Sequence, residues 1–107
     1  MIEVTYYREH SRVTVKGHAY SDEPGKDLVC AGVSALAYTL AANVGHLQQS
    51  GYVRDVTVKM DPGDCEIACR PKGKYANTVR MILEAVCVGF ELLAANTPGY
   101  ITYEIHG

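Results

Sequence analysis

The stretch from Asp27 to about Gln49 constrains this chain most. Val29, Val33, Leu36, Leu40, Val44 and Leu47 recur at three- and four-residue steps, the spacing of one face of an α-helix. Ala31, Ala35, Ala37, Ala41 and Ala42 leave the remaining faces small and apolar. A helix that is apolar on most sides has to be covered, either by the rest of its own fold or by a second chain. Gly51 stops it.

The segments around this helix supply such a cover. Ile2, Val4 and Tyr6 alternate with Glu3, Thr5 and Tyr7, and Val13 and Val15 alternate with Arg12, Thr14 and Lys16. Both are strand patterns, separated by the polar turn 8–12, so they predict a hairpin. Val56, Val58 and Met60 form a third inward row. After the turn Asp61-Pro62-Gly63-Asp64, Cys65, Ile67 and Cys69 form a fourth. A second helix is predicted from about Tyr75 to Ala95, with Val79, Ile82, Leu83, Val86, Phe90 and Leu93 as its stripe. Ile101, Tyr103 and Ile105 share one face of a last strand. The order is β-β-α-β-β-α-β. Short hairpins favour antiparallel pairing, and two apolar helices on one face predict a two-layer α+β domain with a mainly antiparallel sheet. Residues 1–107 read as one domain.

Composition narrows the function. Ten basic and 12 acidic residues leave a net charge of -2, with no basic run of the kind nucleic-acid binding leaves. The N-terminus lacks the pattern of a signal peptide. No apolar stretch is read as long enough to span a membrane. These features predict a cytoplasmic protein whose thiols stay reduced. There is no P-loop, no Gly-x-Gly-x-x-Gly and no Gly-x-Ser-x-Gly, so nucleotide binding and serine hydrolysis have no support.

The chemistry concentrates between positions 17 and 34. His18 ends the second strand and, in phase with Thr14 and Lys16, lies off its core face. Cys30 opens the first long helix. With Asp27 as the helix N-cap, Cys30 would be the third helical residue, near free N–H groups and the positive end of the helix dipole. A thiol placed there can have its pKa lowered from ~8.5 toward ~3.5–7.5. A cysteine nucleophile with a histidine base is the leading hypothesis. The plainer alternatives are a small buried cysteine and a surface histidine. Gly17 permits close backbone approach or a hinge. Asp27 caps the helix or orients His18. Ser34 lies one turn after Cys30 and hydrogen-bonds either the site or the backbone.

The other candidates look structural. Cys65 and Cys69 share a strand face but stand about 13 Å apart at about 3.3 Å per residue. They cannot bridge one another or share a metal ion on a straight strand. Cys87 falls near the stripe of the second helix. His10, His46 and His106 lack metal-ligand spacing to one another. Neither a metal nor a cofactor is predicted.

Gly17-His18-Ala19, followed by Gly25-x-Asp27-x-Val29-Cys30-Ala31-x-x-Ser34, resembles the Prp family of bacterial ribosomal-processing cysteine proteases. The two half-motifs at this spacing are far more specific than a lone His or Cys. The resemblance implies Cys30 as nucleophile and His18 as general base, then acid, with Gly17, Asp27 and Ser34 at the other site positions. It implies removal of a short N-terminal extension from the basic large-subunit ribosomal protein twenty-seven, after an aromatic residue. It also implies a homodimer and a mobile segment from Tyr20 to Lys26 that gates the site. Two rival readings stand beside it: a non-catalytic ribosome-associated dimer, and a redox sensor using Cys30 with a resolving cysteine.

Overall fold

The computed structural model describes residues 1–18 and 26–107, apart from the side chains of Lys26 and Asp27. The elements follow the expected order. Strand β1 (Ile2–Tyr7) leads through a 3-10 turn (Arg8–His10) into β2 (Arg12–Gly17), and α1 spans Lys26–Gln49. Strands β3 (Val53–Asp61) and β4 (Asp64–Pro71) follow, then a 3-10 turn (Gly73–Tyr75), α2 (Ala76–Asn96) and β5 (Ile101–His106). The strands form one sheet in the order β3-β4-β2-β1-β5. Three pairings are antiparallel, and β5 lies parallel to β1. The sheet is therefore mixed, with one parallel edge.

Both helices turn their predicted stripes to the core, with Leu36, Ile82, Val86 and Leu93 half-buried at its margin. On α1, Val29, Val33, Leu40, Val44 and Leu47 are buried, joined by Ala37; on α2 the buried set is Val79, Leu83, Cys87 and Phe90. They meet Ile2, Val4 and Tyr6 of β1, Val13 and Val15 of β2, and Ile67 and Cys69 of β4 in one hydrophobic core. The helices also touch each other closely. A Cβ on Gly89 would lie 2.5 Å from a Leu36 methyl, so this glycine sets how near α2 comes to α1.

Three expectations need correction. Lys26 already belongs to α1, so Asp27 lies within the helix rather than capping it, and Cys30 is at least its fifth residue rather than its third. The segment Leu28–Gln49, 22 residues of mean hydropathy 1.6, is long and apolar enough by composition to cross a membrane. In this fold one side of it is the core of the domain. Finally, Val58 is 47% exposed although it pairs with buried Ile67. It sits on the edge strand of the sheet. A bulge between Arg54 and Thr57, with Asp55 at φ 52°, resets the alternation of β3. It lets Val53 be buried on the same strand that turns Val56 and Met60 inward.

Candidate active site

His18 follows directly on β2, and several contacts fix where it emerges. The Gly17 N–H donates to the Gly63 carbonyl at 3.0 Å. The Met1 nitrogen donates to the His18 carbonyl at 2.7 Å. Gly17 has φ +94°, and a Cβ there would fall 2.4 Å from the Met1 oxygen. Only glycine fits both the conformation and the space, so of its two expected uses Gly17 serves close backbone approach. One residue earlier, the Lys16 ammonium pairs with the Asp64 carboxylate, which also receives Lys59 at 2.6 Å. Lys16 first and Lys59 second hold the Asp64 carboxyl down to a pKa of about 2. Strand β2 is thus tied to the β3–β4 turn at the point where His18 leaves it.

The His18 side chain is exposed, as its strand phase predicts. Its imidazole rests on the turn. A Cβ on Gly63 would lie 1.9 Å from the ring Nε2 and 2.5 Å from Cε1.

Cys30 lies half-buried in α1 and packs against the core cluster. It lies at least five residues into the helix, deeper than the expected third position. Ser34, one turn on, is exposed and lines a cleft of about 280 Å³. Ala37 and Tyr38 complete the helical wall, and Met60, Asp61, Pro62, Gly63 and Cys65 form the wall opposite. One wall continues the helix that carries Cys30, and the other includes the glycine that carries the His18 ring. The Asp27 side chain and the gate segment preceding α1 lie outside the described residues.

The remaining cysteines differ in kind. Cys69 and Cys87 are buried, and burial pushes both thiols up to about 11. Cys65 departs in part from the core role expected of it. It is half-buried, lines the cleft, and donates from Sγ to the Asp61 carbonyl at 3.4 Å. Burial, then the neighbouring Asp64 carboxylate, raises its pKa as well. Sequence reasoning missed Gly63, Tyr38 and Met60 as parts of this region. The Asp61–Asp64 turn was legible as a turn, but nothing in it announces that β4 pairs with β2 and so brings the turn beneath His18.

No curated protein sequence matches the chain significantly. Among solved structures, a protein from Streptococcus mutans designated SMU.848 is similar, with 29% identity and a TM-score of 0.71, over 99% of this chain and 94% of that one. The ribosomal processing protease Prp from S. aureus has been solved with a substrate peptide. It shares 21% identity at a TM-score of 0.69, covering 97% of this chain and 96% of its own. The same S. aureus protein with a covalently linked product peptide gives 0.67 at the same identity and coverage. At that identity these two likenesses speak for the fold. The profile of the family described as cysteine protease Prp matches residues 1–102. With a match across nearly its whole length, this chain belongs to the Prp family of cysteine proteases.

Proposed function

We propose that this chain is an endopeptidase that removes the N-terminal extension of ribosomal protein twenty-seven before ribosome assembly, using Cys30 and His18 as a dyad. One observation carries the reading: Ser34, one helical turn after the half-buried Cys30, and Gly63, on which the exposed His18 ring rests, line the same cleft. The S. aureus relative was solved with a substrate peptide and with a covalently linked product peptide. A covalent adduct is what nucleophilic catalysis leaves behind.

The steps follow from the two side chains. His18 takes the proton of Cys30, and the thiolate attacks the scissile carbonyl carbon. The oxyanion is held by N–H groups of the first turn of α1, which have no partner within the helix. The tetrahedral intermediate collapses as His18 returns its proton to the leaving amine, and a thioester remains. Water, deprotonated by His18, then attacks the thioester and frees the carboxylate product and the thiol. Gly17 holds the strand end in place, and Ser34 lines the peptide groove. Asp27 supports the site, and the segment before α1 gates it.

The enzyme works in the cytosol as a homodimer. The exposed apolar side chains of the two helices, including Leu28, Tyr38, Met81, Val88 and Leu92, offer surface for a second copy.

The decisive experiment incubates the extended ribosomal protein with wild type, Cys30→Ala and His18→Ala, read by intact mass, with light scattering on the same samples. Wild type cleaves once, after an aromatic residue, and both variants keep the fold but lose cleavage. Full activity in Cys30→Ala removes the nucleophile; full activity in His18→Ala removes the base. A monomeric mass removes the dimer.

A further inference from the structure

We propose that Gly63 is a positioning residue for His18: the β3–β4 turn is a seat for the imidazole, and the seat exists because position 63 has no side chain. The inference rests on the reading of His18 as the base. It goes beyond that reading by placing part of the catalytic geometry on a hairpin remote in sequence from the histidine–cysteine motif.

The contact is intimate. A Cβ on Gly63 would coincide with the ring, at 1.9 Å from Nε2, 2.5 Å from Cε1 and 2.7 Å from Cδ2. The backbone there is left-handed, with φ +72°, so glycine is favoured twice, by conformation and by space. The seat is also anchored to the strand that delivers the ring. The Gly63 carbonyl accepts the Gly17 N–H at 3.0 Å, and the next residue, Asp64, pairs with Lys16 and Lys59. Backbone and side-chain bonds therefore hold the turn at a set distance from the root of His18. A ring resting on the Cα of a rigid turn has fewer orientations than one standing free in solvent, and proton transfer depends on that orientation.

A control is built into the chain. Gly99 has φ +93° with nothing within 4 Å of an added Cβ. Gly63→Ala and Gly99→Ala thus impose similar backbone strain, but only the first displaces the imidazole. Both should lose similar stability in urea. Gly63→Ala alone should lower kcat on the extended ribosomal peptide by about 100-fold, the scale of a 1 Å misplacement, with a smaller change in KM. It should also move the His18 ring resonances by NMR, while those of the other three histidines stay still. Gly63→Asn brings the same Cβ against the ring with less strain, because asparagine tolerates left-handed backbone. It covers the case in which the alanine variant fails to fold, and it should show the same loss.

Unmoved His18 resonances in folded Gly63 variants overturn the seat. Moved resonances with kcat near wild type overturn its catalytic role. If His18→Ala itself cleaves normally, the base assignment falls and Gly63's catalytic role falls with it. Failure of the dyad is then told apart from failure of the seat, which the ring resonances report on their own.

Discussion

The chain contains two β-β-α units, each carrying one helical cysteine, and the two cysteines meet opposite fates. In the second unit, β3-β4-α2, the connection is tight. Lys72 and the turn Gly73–Tyr75 lead straight into the helix, and Tyr75 stacks on Tyr52 at 4.1 Å between centroids. Cys87 comes in the middle of α2, 2% exposed, where burial keeps its thiol protonated to about 11. In the first unit, β1-β2-α1, the strand ends in Gly17 and His18, and the cysteine comes near the start of the helix, half-buried. Residue type is the same and the architecture is the same. What separates them in the structure is depth: Cys30 lies half-buried near the start of its helix, and Cys87 is sealed in the middle of its own. The second unit reads as scaffold and the first as site.

The largest expected effect tests the scaffold half. Phe90 is fully buried, and Phe90→Ala should cost about 3–5 kcal/mol, read as a lowered urea midpoint. Activity should fall only as the folded fraction falls. Cys30→Ala should shift the midpoint far less while abolishing cleavage. A Phe90→Ala protein that stays folded yet cannot cleave would break the division between scaffold and site.

A smaller effect sharpens the contrast between the thiols. Iodoacetamide at neutral pH, followed by peptide mapping, should modify Cys30 first, Cys65 more slowly, and Cys69 and Cys87 last. The last two are buried with pKa values of about 11, and the thiolate is the species that reacts. Because these two values are raised in the fold, their contribution to stability is full below the unfolded thiol pKa of about 8.5. It is lost as pH rises through about 11, so the contrast should fade in alkali as the protein loosens. Equal rates for Cys30 and Cys87 in the folded protein at neutral pH would erase the distinction.

Much of this fold could be read from residue patterns. The stripes of α1 and α2 bury nearly as spaced, because helical periodicity is a local property reinforced by the core. His18 off the core face followed from strand alternation alone. What escaped was non-local. The parallel pairing of β5 with β1 depends on a crossover, and Val58 stays exposed because β3 is the edge of the sheet. Helix α1 already includes Lys26, at least two residues before the start expected with Asp27 as its cap. The meeting of His18 with Gly63 depends on β2 lying beside β4, 45 positions apart in sequence from ring to turn, and no local pattern encodes that neighbour.

The smallest expected effect concerns the charges that tie the two units together at the site. Asp64, at the start of β4 in the second unit, pairs with Lys16 of β2 in the first and with Lys59 across its own hairpin. These groups are exposed, so the pairs are screened and Asp64→Asn should cost little stability. Its pH dependence is the informative part. The folded carboxyl, held by Lys16 and then Lys59, titrates at about 2, below the ~3.9 of an unfolded aspartate. A depressed carboxylate contributes stability that is present above the unfolded value and lost as pH falls through the folded one. Wild type and Asp64→Asn should therefore differ most above about pH 4 and converge as pH approaches 2, by urea midpoints along an acid series. Added salt should shrink the difference at neutral pH. A difference that stays constant down to pH 2, or that ignores salt, would mean that Asp64 acts through the shape of the turn rather than through its charge. The tie at this end of the β2–β4 pairing would then belong to backbone bonds such as Gly17–Gly63 rather than to charge.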